Sequence, residues 1–266
     1  MPVRCARHPE CRFRRRAGAG INDWIAAEWL DKEKRLRASI VIPLQDAELA
    51  VAEIERRAAD KRFVQVLVPA AGDTPLGKRQ HWPIYAAAEK HRLPLCIHAG
   101  STFHHPTTAN GWPSYYLEDY VSATHAFQSQ VLSLMYEGVL TKYPNLTVVL
   151  AEAGFTWLPQ FMWRAVKTWR GMRAEVPWVD RAPSEIIRDH FRFTLQPSDA
   201  PPDPLQMEQT IEQIGSDRFL LFSTDYPHWH FDGESALPDG LPASLVQRMM
   251  VDNPLETYPR LKETLQ

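Results

Sequence analysis

The chain of 266 residues is poor in cysteine, with Cys5, Cys11 and Cys96 alone. That count argues against a disulfide framework and suits a reducing, cytoplasmic compartment. It also lacks a basic excess: 30 Lys and Arg face 32 Asp and Glu, a formal charge of -2. A dedicated nucleic-acid or anionic-membrane binder carries the opposite balance, so neither partner is expected. No apolar run approaches the roughly 20 residues that cross a bilayer. Glycine is sparse, 12 against 22 prolines, and neither G-x-G-x-x-G nor G-x-x-x-x-G-K-[ST] occurs. A nucleotide cradled on a glycine-rich turn is therefore not expected. The serine elbow G-x-S-x-G is absent as well. The chain does have an ordinary globular composition, 44% hydrophobic and 23% charged, with 9 tryptophans. Such aromatics suit a rigid, apolar-walled site or interface.

The first 20 residues differ from the rest. They hold six arginines (Arg4, Arg7, Arg12, Arg14, Arg15, Arg16), one acid (Glu10) and no hydrophobic periodicity. The expectation is a solvated, disordered tail, or the product of a wrong start or reading frame, followed by one folded domain over 21–266. From Asn22, placed to cap a helix through Leu30, the pattern becomes regular. Apolar strands are expected at 38–43, 63–69, 93–100, 146–154, 191–197 and 218–227. Helices fall between them, among them 82–91, 123–137, 156–173 and 204–215. Strand and helix alternate, and the strands are apolar throughout, which implies a parallel sheet buried on both faces. Ionisable or polar residues stand at several strand ends: His98, Glu152, Gln196 and Asp225. Catalytic groups drawn from the ends of different strands are the habit of the (β/α)8 barrel. About six strands are countable where a barrel needs about eight, so the barrel is expected to be incomplete.

His98, before Ala99-Gly100 and a long loop at 101–117, reads as a metal ligand or general base. The alternative is a core histidine held by a carbonyl. Asp225 ends an apolar strand, where a carboxylate needs a cation, a metal or donors; an Asx turn is the alternative. Glu152 meets the same argument and could ligate, move a proton or pair with an arginine such as Arg164. His125 opens the helix after the loop and could reach a substrate. Trp112, Tyr115, Tyr116, His228 and Trp229 could line a pocket for a flat compound. His104-His105, being adjacent, lack the offset that places two imidazoles on one metal; His228 and His230 have an i, i+2 spacing but lie in a Trp-rich loop and read as lining the mouth; Cys96 reads as an inert buried thiol.

The segments IHAG (97–100), GVLTKYPNLTVVLAEAGFTWLPQFMWR (138–164) and LLFSTDYPHW (220–229) resemble the amidohydrolase-related family of metal-dependent hydrolases and non-oxidative decarboxylases. The resemblance implies a (β/α)8 barrel with a divalent ion, zinc or manganese, at the strand ends. It places metal ligands at His98 and Asp225, with Glu152 at the position of a further family histidine. It makes Asp225 the proton carrier and puts His98 and His125 beside metal and substrate. The substrate it implies is a small carbonyl or carboxylate compound, and the assembly a homodimer, with the Trp163 and Trp169 helix as one candidate surface. The family's first-strand His-x-His or Glu-x-His is not present, and the first two strands are expected to be missing. Two other readings stay open: a barrel remnant that binds a ligand or partner, and a metal-free enzyme using Glu152 and Asp225 as paired carboxylates.

Overall fold

Six short, mostly apolar runs form the strands of one sheet. The computed structural model describes residues 18–100, 105–229, 231–233 and 236–264. In chain order the strands are β1 (Ala38–Val41), β2 (Phe63–Pro69), β3 (Leu95–His98), β4 (Val148–Ala151), β5 (Phe191–Thr194) and β6 (Leu220–Leu221). Each pairs in parallel with the next, in the order β1-β2-β3-β4-β5-β6. Crossovers of one hand along a sheet whose order never reverses place the helices on the same face, as in a barrel. A doubly wound sheet would reverse at a switch point. Among the described residues β1 and β6 do not pair with each other, so the sheet is an open α/β arc.

The helices are α1 (18–25), α2 (Ala47–Ala58), α3 (Trp82–Lys90), α4 (Tyr116–Tyr136), α5 (Val139–Lys142) and α6 (Leu158–Met172). They continue with α7 (Pro183–His190), α8 (Pro204–Ile214), α9 (Ala243–Gln247), α10 (Asn253–Thr257) and α11 (Pro259–Thr264). Strand residues alternate between the two faces. Leu95, Ile97, Val148, Leu150, Phe191, Phe193 and Leu220 pack in the large core under the helices. Cys96, Val149, Ala151 and Leu221 form a small cluster on the other face, with Leu67 and Tyr258 against it. His98 shares the parity of Cys96 and therefore crowns this inner face, in register with Ala151.

Several expectations need correction. Asn22 is not a helix cap: α1 already runs through it, and its buried side chain docks on β1 instead. Its Nδ2 donates to the Val41 carbonyl at 2.9 Å and to Glu53 Oε1 at 2.7 Å, and its Oδ1 accepts from the Val41 N–H at 2.9 Å. The side-chain amide thus pairs with Val41 as a neighbouring strand would. Helix α4 starts at Tyr116, seven residues before the expected 123, because Glu118 Oε2 accepts from the N–H groups of Ser114 and Tyr115 and fixes the first turn. Strand β6 is two residues long, and 222–229 is irregular chain. Of the expected tail, 18–20 are helical and 1–17 lie outside the described residues, as do His104 and His230.

Candidate functional site

The parallel ladder ends where the polar groups begin. His98 closes β3, Glu152 follows β4, and Asp225 lies four residues beyond β6. Both carboxylate residues adopt a left-handed backbone, with φ of 62° at Glu152 and 55° at Asp225. Such conformations are uncommon for side chains other than glycine, and they cluster at functional sites. The Glu152 N–H is fixed by Thr194 Oγ1 at 3.0 Å, so β5 helps to hold the turned backbone.

These turns bring the three groups together. His98 Nε2 lies 2.9 Å from Glu152 Oε1, and its Nδ1 lies 2.6 Å from the Ala99 carbonyl oxygen. Two acceptors facing the two ring nitrogens favour the imidazolium, which donates to both. The Glu152 carboxylate accordingly raises the His98 pKa against the opposing effect of burial. Burial alone would raise the Glu152 pKa, but the His98 imidazole outweighs it and holds the carboxyl below its ordinary value, with a hydrogen bond to Asp225 assisting. Asp225 Oδ2 in turn lies 3.5 Å from His228 Nδ1. The result is a chain of polar contacts, His98–Glu152–Asp225–His228, across the inner mouth of the sheet, with a histidine–carboxyl pair at each end and, between them, a hydrogen bond of two carboxyl groups that needs a proton on one of them.

A cavity of about 600 Å³ opens beside it, lined by Gly100, Asp119, Tyr120, Glu152, Trp157 and His228 among others. That size suits a drug-sized or smaller ligand. Tyr120 stacks on His228 with ring centroids 6.3 Å apart and lies 6.0 Å from Trp229. Burial and the nearby Glu152 and Asp225 carboxylates push its phenol pKa up to about 12. On the far side, Asp199 accepts from the Phe155 N–H, the Thr156 N–H and the Thr156 hydroxyl at 3.2, 3.2 and 2.6 Å. It thereby holds the turn that leads into α6. Gly154, at φ 62°, passes so close that an added Cβ would stand 2.7 Å from Asp199 Oδ2.

The structure gathers His98, Glu152, Asp225, His228 and Tyr116 at this mouth, with Trp229 against Tyr120. It does not bring His125 there: that residue lines a separate cavity with Asp73 and His105. Trp112 and Tyr115 are exposed and outside the lining. Sequence reasoning missed Asp119, Tyr120, Trp157 and Asp199. The first two lie on a helix face whose role is set only by what it packs against.

The donor set has the chemistry of a divalent-ion site but not the arrangement of one. Among the described residues no three His, Cys, Asp or Glu side chains form a group that could hold a metal. His98 Nε2, the nitrogen that could bind an ion, is taken up by Glu152 Oε1 at 2.9 Å. As arranged, these residues do not fit a metal centre of three protein ligands.

Comparison with known proteins matches this frame. The stretch 12–260 fits the amidohydrolase family model. The chain is 28% identical over 224 residues to the gamma-resorcylate decarboxylase of Polaromonas sp. (strain JS666 / ATCC BAA-500), covering 79% of this chain and 66% of that one. It thus spans just under two thirds of the length of that relative. Among solved structures, the 2,6-dihydroxybenzoate decarboxylase from Rhizobium superposes with a TM-score of 0.76 at 21% identity, over 97% of this chain and 82% of the other. A dihydroxybenzoic acid decarboxylase from Polaromonas sp. JS666, solved with manganese and the inhibitor 2-nitroresorcinol, gives 0.71 at 21% identity, over 94% and 77%. These structural likenesses support the barrel-type arrangement of strands and helices. The chain belongs to the amidohydrolase family.

Proposed function

We propose that the mouth cavity is the active site of a carbon–carbon lyase that removes carbon dioxide, without oxidation, from a small hydroxylated aromatic carboxylate. The observation that carries this reading is the hydrogen-bonded chain of His98, Glu152, Asp225 and His228 beside a cavity walled by Tyr120 and Trp157. The curated relatives, gamma-resorcylate decarboxylases, point to the same chemistry. In such a reaction the ring carbon that bears the carboxylate takes up a proton. The bond to the carboxylate then breaks, its electron pair returns to the ring, and carbon dioxide leaves. Asp225 delivers that proton, and His228 at 3.5 Å is the group from which it is replenished. The His98 imidazolium supplies positive charge, and Glu152 fixes its orientation. Tyr120 and Trp157 hold a flat ring and exclude water.

Decarboxylases of this family work with a divalent metal, and one solved relative carries manganese. His98, Glu152 and Asp225 do not fit such an ion as arranged, and zinc or manganese loading is tested directly. Metal analysis of the purified chain, dialysed against each ion, reads it. The homodimer is part of the same reading, with α6 and its exposed Trp163 as the surface; sedimentation velocity reads it.

The test is release of carbon dioxide from 2,6-dihydroxybenzoate, with the phenolic product followed by chromatography, on protein as purified and after addition of Mn²⁺ or Zn²⁺. We expect turnover, and a fall in kcat of about 10²-fold or more for both Asp225→Asn and Glu152→Gln, as for loss of a positioned proton carrier or its orienting partner. Hydrolysis of esters or amides in the same cavity, with no carbon dioxide from any hydroxybenzoate under these conditions, would overturn the assignment in favour of a hydrolase.

A further inference from the structure

Asp119 lies in the first turn of α4, where the partial positive charge of the helix end favours a carboxylate. It is only 6% exposed, yet it lines the mouth cavity on the wall formed by α4, with Glu152 and Gly154 on the wall formed by the strand ends. Its Oδ1 is buried and has no hydrogen-bond partner among the described residues. Its neighbours in sequence are otherwise engaged: Glu118 holds the start of the helix, and Tyr120 stacks on His228. A buried acceptor without a donor destabilises a fold, and natural proteins keep few of them. Nothing in the fold of α4 requires an acid here, since the end of the helix is already fixed by Glu118. Among the described residues, none supplies that acceptor with a donor.

The cavity decides what that donor is. Four acidic side chains, Asp119, Glu152, Asp199 and Asp225, line it or stand in the adjoining hydrogen-bonded chain, against the imidazoles of His98 and His228. A further bare anion is poorly accommodated at the α4 wall, whereas a hydroxyl that donates to a carboxylate is accommodated well. The χ2 torsion of an aspartate is broad and roughly two-fold, so its two oxygens exchange places without a change of χ1 rotamer.

We propose that Asp119 is a specificity-determining residue that accepts a hydrogen bond from a ring hydroxyl of the bound ligand. A site built to pair with a hydroxyl rejects the analogue that lacks it, because the acceptor then stays buried and unpaired. The inference rests on the proposed function only in taking the mouth cavity as the ligand site; it needs neither a carboxylate on the ligand nor turnover.

The test uses two neutral probes of similar shape, resorcinol, which donates from two hydroxyls, and 1,3-difluorobenzene, which donates none. Binding is followed by NMR titration of the full chain. We expect the wild type to prefer resorcinol by about 10- to 100-fold, the range for a hydrogen bond to a charged group. Asp119→Leu removes that preference by weakening resorcinol while leaving the fluorinated ring unchanged or tighter. The isosteric Asp119→Asn retains part of it and guards against loss of folding. The ligand-free leucine variant should also melt roughly 2–4 °C higher, because an unpaired buried acceptor is gone. A preference that survives Asp119→Leu, a wild type with no preference, or a lower melting temperature in both variants each overturns the proposal, the last by assigning Asp119 to the fold. If the preference depends on Asp119 while no carbon dioxide is released, the inference stands and the reaction falls. Release without the preference has the opposite meaning.

Discussion

At the scale of single residues, the mouth is built on backbone that few side chains tolerate. Glycine at position 154 serves two ends: φ of 62° and room for the Asp199 carboxylate. Gly154→Ala should cost about 1–3 kcal/mol, from left-handed strain and from the shifted carboxylate, read as a lower urea midpoint at unchanged m-value. It should also loosen the turn that Asp199 holds through Phe155 and Thr156. His98, Glu152 and Asp225 are legible from sequence because each interrupts or ends an apolar run, where an ionisable group needs a reason. Asp119 and Tyr120 are not legible, because acids and tyrosines on a long helix are ordinary until a cavity forms beside them. His125 misleads for a related reason. With about 100° between successive helical residues, Tyr116, Tyr120, Ala123 and Thr124 face the mouth while His125, Ala126 and Ser129 face the neighbouring cavity. One residue of phase separates the two.

At the scale of elements, the strands were readable and their limits were not. Apolar β-branched runs announce β1 to β5. The expected strand at 218–227 reads as one because its start is apolar, yet the ladder ends after Leu221 and 222–227 is irregular. The role of Asn22 was hidden because a side-chain amide that mimics a strand has no local signature. Asn22 pairs with both backbone groups of Val41 at one edge of the sheet and also holds the buried Glu53, which Arg56 grips at 2.8 and 2.6 Å. Asn22→Ala leaves these acceptors and the Val41 N–H without their partner. We expect a loss of about 2–3 kcal/mol by chemical denaturation, and faster aggregation on warming as the β1 edge is uncovered. Asn22→Asp should not rescue it, because it removes the donor and sets a second acid against Glu53.

At the scale of the whole molecule, acid sensitivity depends in part on a buried histidine far from the mouth. His190 is 6% exposed; its Nδ1 donates to the Leu146 carbonyl at 2.9 Å, and Arg181 approaches its Nε2 at 3.3 Å. This geometry suits the neutral ring, and burial lowers the pKa below its ordinary value, with only partial compensation from the Leu146 carbonyl. The folded-state pKa therefore lies below the unfolded value of about 6.5, so the unfolded chain takes up the proton first as pH falls. The stabilisation is present above pH 6.5 and lost on acidification. Wild type should exceed His190→Asn in urea midpoint most clearly near pH 7.5, with the gap narrowing towards pH 5; a gap that widens on acidification would contradict this. The open arc of strands has a further consequence. The hydrogen-bonded ladder stops at His98, Ala151 and Leu221, while Glu152 and Asp225 lie beyond it. The part of the chain that makes the protein fold and the part that decides its chemistry are thus largely separate stretches of sequence. Such a layout is evolvable: exchanges at the mouth can retune ligand and reaction without rewriting the core, and a lineage can keep its scaffold while it changes its trade.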